Sequence, residues 1–298
     1  MAHSNQDYTC FEITLEDGVA HIQLSRPEAR NSMIPEFWSE LPAAVNDLSD
    51  SGEVRTLVIS STGRHFTAGM DLSVFTQPDS LFSGGSDAAT SAGSESAEPP
   101  EFGRVRAETR NLALTLQESF SCLEKARMPV LAAVQGGCVG GGVDMVCAAD
   151  MRYCTADAFF CIQEINIGLT ADLGTLQRLP RIIPDGLARE LAYTGRRLTA
   201  DEARAAGLVN AVYPDQDAML EGVLGIAREI AARSPLAIWG SKEMLNYTRD
   251  HSVDDGLNYV ATWQSGMFHP DDMAEVFAAK AEGRDPAFQN LLPVRRNL

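Results

Sequence analysis

Apolar and polar residues alternate over 10–16 and 19–25, the period of a strand with one buried face. Asp17-Gly18 between them is the dipeptide of a tight two-residue turn, so the chain is expected to open with a β-hairpin. Over 34–48 the period changes: Phe37, Leu41, Val45 and Leu48 recur at helical spacing on one face. A continuously apolar strand is expected at 55–60, a loop at 63–69 and a long helix at 104–125. A second buried-type strand is expected at 131–135, an apolar helix opening at 143–149, and strands at 152–155, 158–161 and 209–212. Helical spacing then covers 176–181, 185–193, 199–206, 217–233, 235–250, 253–266 and 270–281. Thr199 followed by Glu202 is a capping box at one of these starts.

Strand and helix alternation followed by helices alone predicts an α/β core, 1–214, with a helical C-terminal region, 215–298. Between 77 and 103 the sequence turns to Ser, Gly, Ala, Pro and Glu. Such a composition cannot supply a core, so a surface excursion is expected there.

The junction of strand and helix at 136–142 holds five glycines in seven residues: Gly136, Gly137, Gly140, Gly141 and Gly142. Backbone N–H groups at such a point lack helical partners and can hold a phosphate or a carbonyl oxygen that gains charge. The spacing is not that of a dinucleotide fingerprint, and no Lys-Ser/Thr pair follows as in a P-loop. A second loop of the same kind, HFTAGMDL, follows the strand at 55–60 and contains Ala68, Gly69, Met70 and Asp71. Two amides converging from separate loops make an oxyanion hole. Three carboxylates in apolar settings lie downstream: Asp144, Glu164 and Asp172. A carboxylate in such surroundings is a hydrogen-bonded core group or an acid–base group.

Composition removes other classes. The formal charge of −17, from 41 acidic and 24 basic residues, argues against nucleic acid, which needs a basic footprint. The six cysteines show no CxxC spacing and sit in apolar surroundings, which predicts buried thiols. GxSxG is absent, and the histidines have no triad context. Asp215 with Asp217, and His251 with Asp254 and Asp255, could share an ion by spacing. They lie in polar stretches at helix starts, however, where solvated or capping roles are expected, so no metal is expected. No apolar run reaches membrane-spanning length, and the N-terminus has no secretory pattern. The expected location is the cytoplasm. The ending Arg-Asn-Leu only loosely matches a peroxisomal address and no mitochondrial transit pattern is visible, so those two compartments stay open.

RPEARN at 26–31, FTAGMDL, and GGCVGGGVD at the glycine junction resemble the marks of the enoyl-CoA hydratase/isomerase (crotonase) superfamily. The resemblance runs from about Phe11 to Phe288. Asp144, Glu164 and Asp172, in GGGVDM, QEINIGL and TADLGTLQRLP, are similar to the Δ3,5-Δ2,4-dienoyl-CoA isomerases. Hydratases carry Glu at the position matched by Asp144 and Gly at that matched by Asp172.

The resemblance implies a spiral of ββα units whose C-terminal helices assemble a homotrimer or homohexamer. It implies an oxyanion hole from the amides of Met70 and Gly141. It places an acyl-CoA near Ala68, Gly69, Asp71 and Gly140, with Lys280 or Arg284, from the same or a neighbouring subunit, near the phosphates. The implied reaction, part of fatty acid β-oxidation, moves the double bonds of a 3,5-dienoyl-CoA to positions 2 and 4. Glu164 would handle the carbon 2 proton, Asp172 the carbon 6 proton, and Asp144 would support both. No cofactor is implied, because the conjugated thioester is its own electron sink. Hydration of a 2-enoyl-CoA, another crotonase-type reaction and non-catalytic acyl-CoA binding are the alternatives.

Overall fold

The computed structural model describes residues 8–71, 74, 102–268 and 270–295. Strands β1 (Phe11–Glu16) and β2 (Val19–Leu24) form the expected hairpin, with Phe11 opposite Leu24 and Glu16 opposite Val19. Asp17 and Gly18 both adopt positive φ, 49° and 78°, the conformation that matches the twist of the flanking strands. Strands β3 (Thr56–Ser61), β4 (Val130–Val134), β6 (Met151–Thr155) and β9 (Ala211–Tyr213) add in parallel, giving the order β1-β2-β3-β4-β6-β9. A second sheet, β5-β7-β8, is built from β5 (Gly137–Val139), β7 (Phe159–Cys161) and β8 (Leu198–Thr199).

The chain spirals between these sheets. One turn runs through β4, β5 and helix α3 (Gly141–Ala148), and the next through β6 and β7. The preceding turn leaves β3 and touches the small sheet through a bridge from Thr67 to Cys138. This is the α/β spiral of ββα units expected from the resemblance.

Both faces of the large sheet are covered, which is why β3 and β4 read as continuous apolar runs. On one face Ile22, Leu24, Leu57 and Ile59 meet helix α1 (Phe37–Ser51) and helix α2 (Phe102–Lys125) in the main core. Phe37, Trp38 and Phe120 join those two helices, with ring centroids 5.6–6.4 Å apart. On the other face helix α7 (Gln216–Ala231) lays Met219, Val223, Ala227 and Ala231 on Val58, Leu131 and Tyr153.

Between β7 and α7 lie helices α4 (Thr175–Arg178), α5 (Asp185–Thr194) and α6 (Ala200–Ala206). Beyond α7, helices α8 (Pro235–Thr248), α9 (Val253–Met267) and α10 (Pro270–Glu282) complete the helical C-terminal region.

Several boundaries differ from the sequence pattern for local reasons. The glycine junction contains a short strand, β5, where only loop was expected. The strand expected at 209–212 is displaced to Ala211–Tyr213, because the Leu208 and Val209 amides turn back onto the Ala203 carbonyl at the end of α6. Pro180, which lacks an N–H, accompanies the change from α4 to a 3₁₀ turn over Leu179–Arg181 within the helix expected at 176–181. Helix α1 starts at Phe37 rather than 34 because Met33 is bridged to Met70 and the chain turns through Pro35. Of the excursion expected at 77–103, residues 77–101 lie outside the described residues, and α2 already begins at Phe102.

All six cysteines are buried thiols. Asp215 caps α7 through the Ala218 amide, and Ser252 with Asp255 forms a capping box on α9, as those sequences implied. Among the described residues no helix is long and apolar enough to cross a membrane.

Candidate active site

Three separate segments are stitched together before any chemistry is possible. Asn31, buried and with φ of 53°, donates from Nδ2 to the carbonyls of Thr62 and His65 at 2.9 and 3.0 Å and accepts the Arg26 amide on Oδ1. The RPEARN turn thereby clamps the HFTAGMDL loop. Ala68 donates its amide to the Arg30 carbonyl, the Met33 amide donates to the Gly69 carbonyl, and the Asp71 amide donates to the Met33 carbonyl. The Asp71 carboxylate also accepts from Ser32 Oγ at 2.7 Å. On its other side the loop is sewn to β5: the Thr67 amide donates to Gly137 and the Val139 amide to Thr67.

This double stitching brings Gly69 against the start of α3. Gly69 has φ of 83°, and a Cβ there would lie 2.7 Å from the Val139 carbonyl and 3.5 Å from the Gly141 nitrogen. Gly142 is equally constrained, because its Cβ would fall 2.4 Å from Thr67 Cγ2. The glycines therefore permit an approach that any side chain would prevent. Neither the Met70 nor the Gly141 N–H donates to a protein group among the described residues. The two amides that the sequence nominated as an oxyanion hole are thus free and on adjoining segments.

Glu164 opens a 3₁₀ turn, Glu164–Ile167, and its Oε1 would sit 3.3 Å from a Cβ at Gly140. Asp144 is fully buried in α3. Its Oδ1 accepts the Thr175 amide at the start of α4 at 2.6 Å, and its Oδ2 is buried without a partner. Asp172 is exposed, in the segment between the 3₁₀ turn and α4, on the rim of a cavity of about 340 Å³ also lined by Gln117, Gln177 and Arg178.

Burial pushes the Glu164 carboxyl up to about 7, and the charges of Asp144 and Asp172 add to it. Asp144 is raised to about 6, mainly by burial against the opposing hydrogen bond from Thr175, with Asp172 contributing. Asp172 is raised too, by partial burial. The charge of Asp172 adds to the rise at both Glu164 and Asp144, and that of Asp144 to the rise at Glu164.

Sequence reasoning missed a basic cleft on the other side of the HFTAGMDL loop. A cavity of about 520 Å³ is lined by Arg30, Arg64, His65, Ala68, Phe159 and Arg197, among others. The Arg197 guanidinium stacks 4.1 Å from the centre of the Phe159 ring. His65 accepts the Gly137 amide on Nδ1, which leaves Nε2 as the protonated nitrogen of the neutral ring. Burial, then Arg64 and Arg30, hold the imidazole below its ordinary pKa. No local pattern marks these residues, because 30, 64 and 197 meet only through the fold. Lys280 and Arg284, the expected phosphate partners, line neither cavity. Lys280 is exposed, and Arg284 is engaged by Glu275 and Glu282.

The raised carboxyls have a measurable consequence for stability. In Glu164 the folded pKa lies above its ordinary value of 4.5, so between about 4.5 and about 7 the folded state binds more protons than the unfolded chain. Stability contributed by this group is therefore present at low pH and lost as pH rises through that window. Glu164→Gln is expected to melt several degrees above the wild type at pH 8, with the gain shrinking toward pH 5, as followed by differential scanning calorimetry. An equal or lower melting temperature at pH 8 would contradict the burial argument.

The sequence and the fold match those of known proteins. The enoyl-CoA hydratase/isomerase family profile covers residues 14–83 and 79–291. The mitochondrial Delta(3,5)-Delta(2,4)-dienoyl-CoA isomerase of Rattus norvegicus is 42% identical over 286 residues, 95% of this chain and 82% of that protein. The peroxisomal enzyme of that name from Arabidopsis thaliana is 37% identical over 96% of this chain and 99% of its own length. Among solved structures, an enoyl-CoA hydratase from Bacillus anthracis superposes with a TM-score of 0.78 at 26% identity, covering 94% of this chain and 99% of that one. A glycine-gated pair of free amides beside acidic side chains, on a ββα spiral matched along nearly its whole length, establishes that this chain belongs to the enoyl-CoA hydratase/isomerase, or crotonase, family.

Proposed function

We propose that this acyl-CoA enzyme converts 3,5-dienoyl-CoA into 2,4-dienoyl-CoA. The observation that carries the reading is Asp172: a second carboxylate, at a cavity rim, whose charge adds to the rise of Glu164 and Asp144. The names of the rat and Arabidopsis relatives support it.

In this reaction the Met70 and Gly141 N–H groups hold the thioester oxygen, where negative charge develops. Glu164 removes a proton from carbon 2. The electron pair spreads as an enolate over the conjugated chain, the double bonds settle at positions 2 and 4, and Asp172 delivers a proton to carbon 6. One C–H bond breaks and one forms, so no redox partner is needed. A carboxyl raised to about 7 suits a base that must later return to its starting state near neutral pH. Asp144 acts from beneath, fixing the start of α4 through the Thr175 amide. Arg30, Arg64 and Arg197 hold phosphate groups of coenzyme A in the cleft beside Ala68, a task the sequence suggested for Lys280 or Arg284.

Assembly follows from surface chemistry. Helices α9 and α10 present Val253, Leu257, Met273, Val276 and Phe277 as exposed apolar side chains. Exposed apolar side chains on these helices suit a contact surface, and the reading is a homotrimer, alone or paired as a hexamer.

Two measurements test these readings. Offered 3,5-dienoyl-CoA and 2-enoyl-CoA in parallel, the enzyme should shift double bonds faster than it adds water, and Asp172→Asn should slow the shift by roughly 10²–10⁴-fold while carbon 2 still exchanges with solvent deuterium. Faster hydration by the wild type would make it a hydratase, and loss of carbon 2 exchange in Asp172→Asn would overturn the division of labour. Light scattering should give the mass of a trimer or hexamer, and a concentration-independent monomer would refute the assembly.

A further inference from the structure

The segment that carries Asp172 has little structure of its own. It runs from the 3₁₀ turn to the short helix α4, with Ala171 and Leu173 buried and Asp172 facing outward between them. Its backbone is gripped from outside. Gln117 Nε2, on α2, donates to the Asp172 carbonyl at 2.9 Å. Arg178 Nη1 donates to the Leu173 carbonyl at 3.3 Å. Gly174, with φ of 129°, leaves room for that guanidinium: a Cβ there would lie 1.7 Å from Nη1.

Arg178 is itself held. Its Nη2 donates to Ser121 Oγ at 3.1 Å and to Glu124 Oε2 at 2.7 Å, with both charged side chains largely buried. The other Glu124 oxygen accepts from Arg249, just beyond α8. Burial alone would push the Glu124 carboxyl up, but the hydrogen bonds from Arg178 and Arg249 outweigh it and hold it ionised. The planar fork of Arg178 can therefore brace the Asp172 segment against α2 from a fixed position.

We infer that Arg178 and Gln117 are positioning residues for Asp172, fixing the backbone on either side of its carboxylate so that the acid meets the far end of the acyl chain. The inference rests on the proposed isomerase reading and adds to it which groups place the distant acid. It also separates the two proton transfers: Glu164 is mounted on the 3₁₀ turn beside Gly140 and does not share these supports.

Arg178→Lys keeps the charge but loses the fork, and Gln117→Leu removes only the contact to Asp172 on a half-buried helix position. Misplacing an acid by a fraction of its working distance is expected to cost about 10- to 100-fold in kcat for the double-bond shift. KM and carbon 2 deuterium exchange should stay near wild type in both variants, because the thioester site and Glu164 are untouched. If Arg178→Lys fails to fold, Gln117→Leu carries the test. Wild-type kcat in the folded variants would overturn the inference, and so would a loss of carbon 2 exchange in proportion to the shift, which signals general structural damage. A wild-type enzyme that exchanges carbon 2 but never shifts the double bonds would instead overturn the isomerase reading, and this inference with it.

Discussion

The site depends on how closely two backbone segments approach at Gly69 and Gly141. An oxyanion hole needs two N–H groups free of protein acceptors and aimed at one oxygen, and both conditions are costly to arrange inside a fold where backbone amides are normally paired. Here over-determination leaves two amides free on adjoining segments. The HFTAGMDL loop is held by Asn31 and the RPEARN turn on one side and by β5 on the other, and its neighbours Thr67, Ala68 and Asp71 all have their amides satisfied. Met70 is left over, and the helix start leaves Gly141 over. Glycine at 69 and 142 is a requirement of contact distance, since side chains would strike the Val139 carbonyl and Thr67.

Around this fixed point the spiral distributes different electrostatics to different sides of the loop. The arginine-lined cleft lies beside Ala68, and the carboxylates lie beside Gly140 and α4. With a formal charge of −17 the chain as a whole would repel a polyanion, and the arginine-lined cleft is a local exception to that field. Burial and mutual repulsion raise the carboxyls toward neutrality, where a side chain can both take and give a proton.

Much of this was legible in the sequence, and for identifiable reasons. Asp17-Gly18, the apolar runs of β3 and β4, the capping residues Thr199, Asp215 and Asp255, and the glycine clusters each encode a local demand, so their structural roles read correctly in isolation. Asp144, Glu164 and Asp172 stood out as charges among apolar neighbours. What could not be read were contacts made by topology alone. Arg30, Arg64 and Arg197 are far apart in sequence, and the grip of Arg178 on the Asp172 segment depends on Glu124 and Arg249 arriving from other helices. Strand β5 was hidden because its role is set by pairing with β7, not by the propensity of Gly137.

The central claim is that the Met70 and Gly141 amides act together on a thioester carbonyl. Infrared difference spectroscopy of an acyl-CoA labelled with ¹³C at that carbonyl reads this directly, because two hydrogen bonds to the oxygen weaken the C=O bond. The carbonyl band should move to lower frequency on binding to the wild type. In Gly69→Ala, where the added Cβ would push against the Val139 carbonyl, it should return toward its position in water. A bound thioester whose carbonyl band is the same in the wild type, in Gly69→Ala and in free solution would contradict the account.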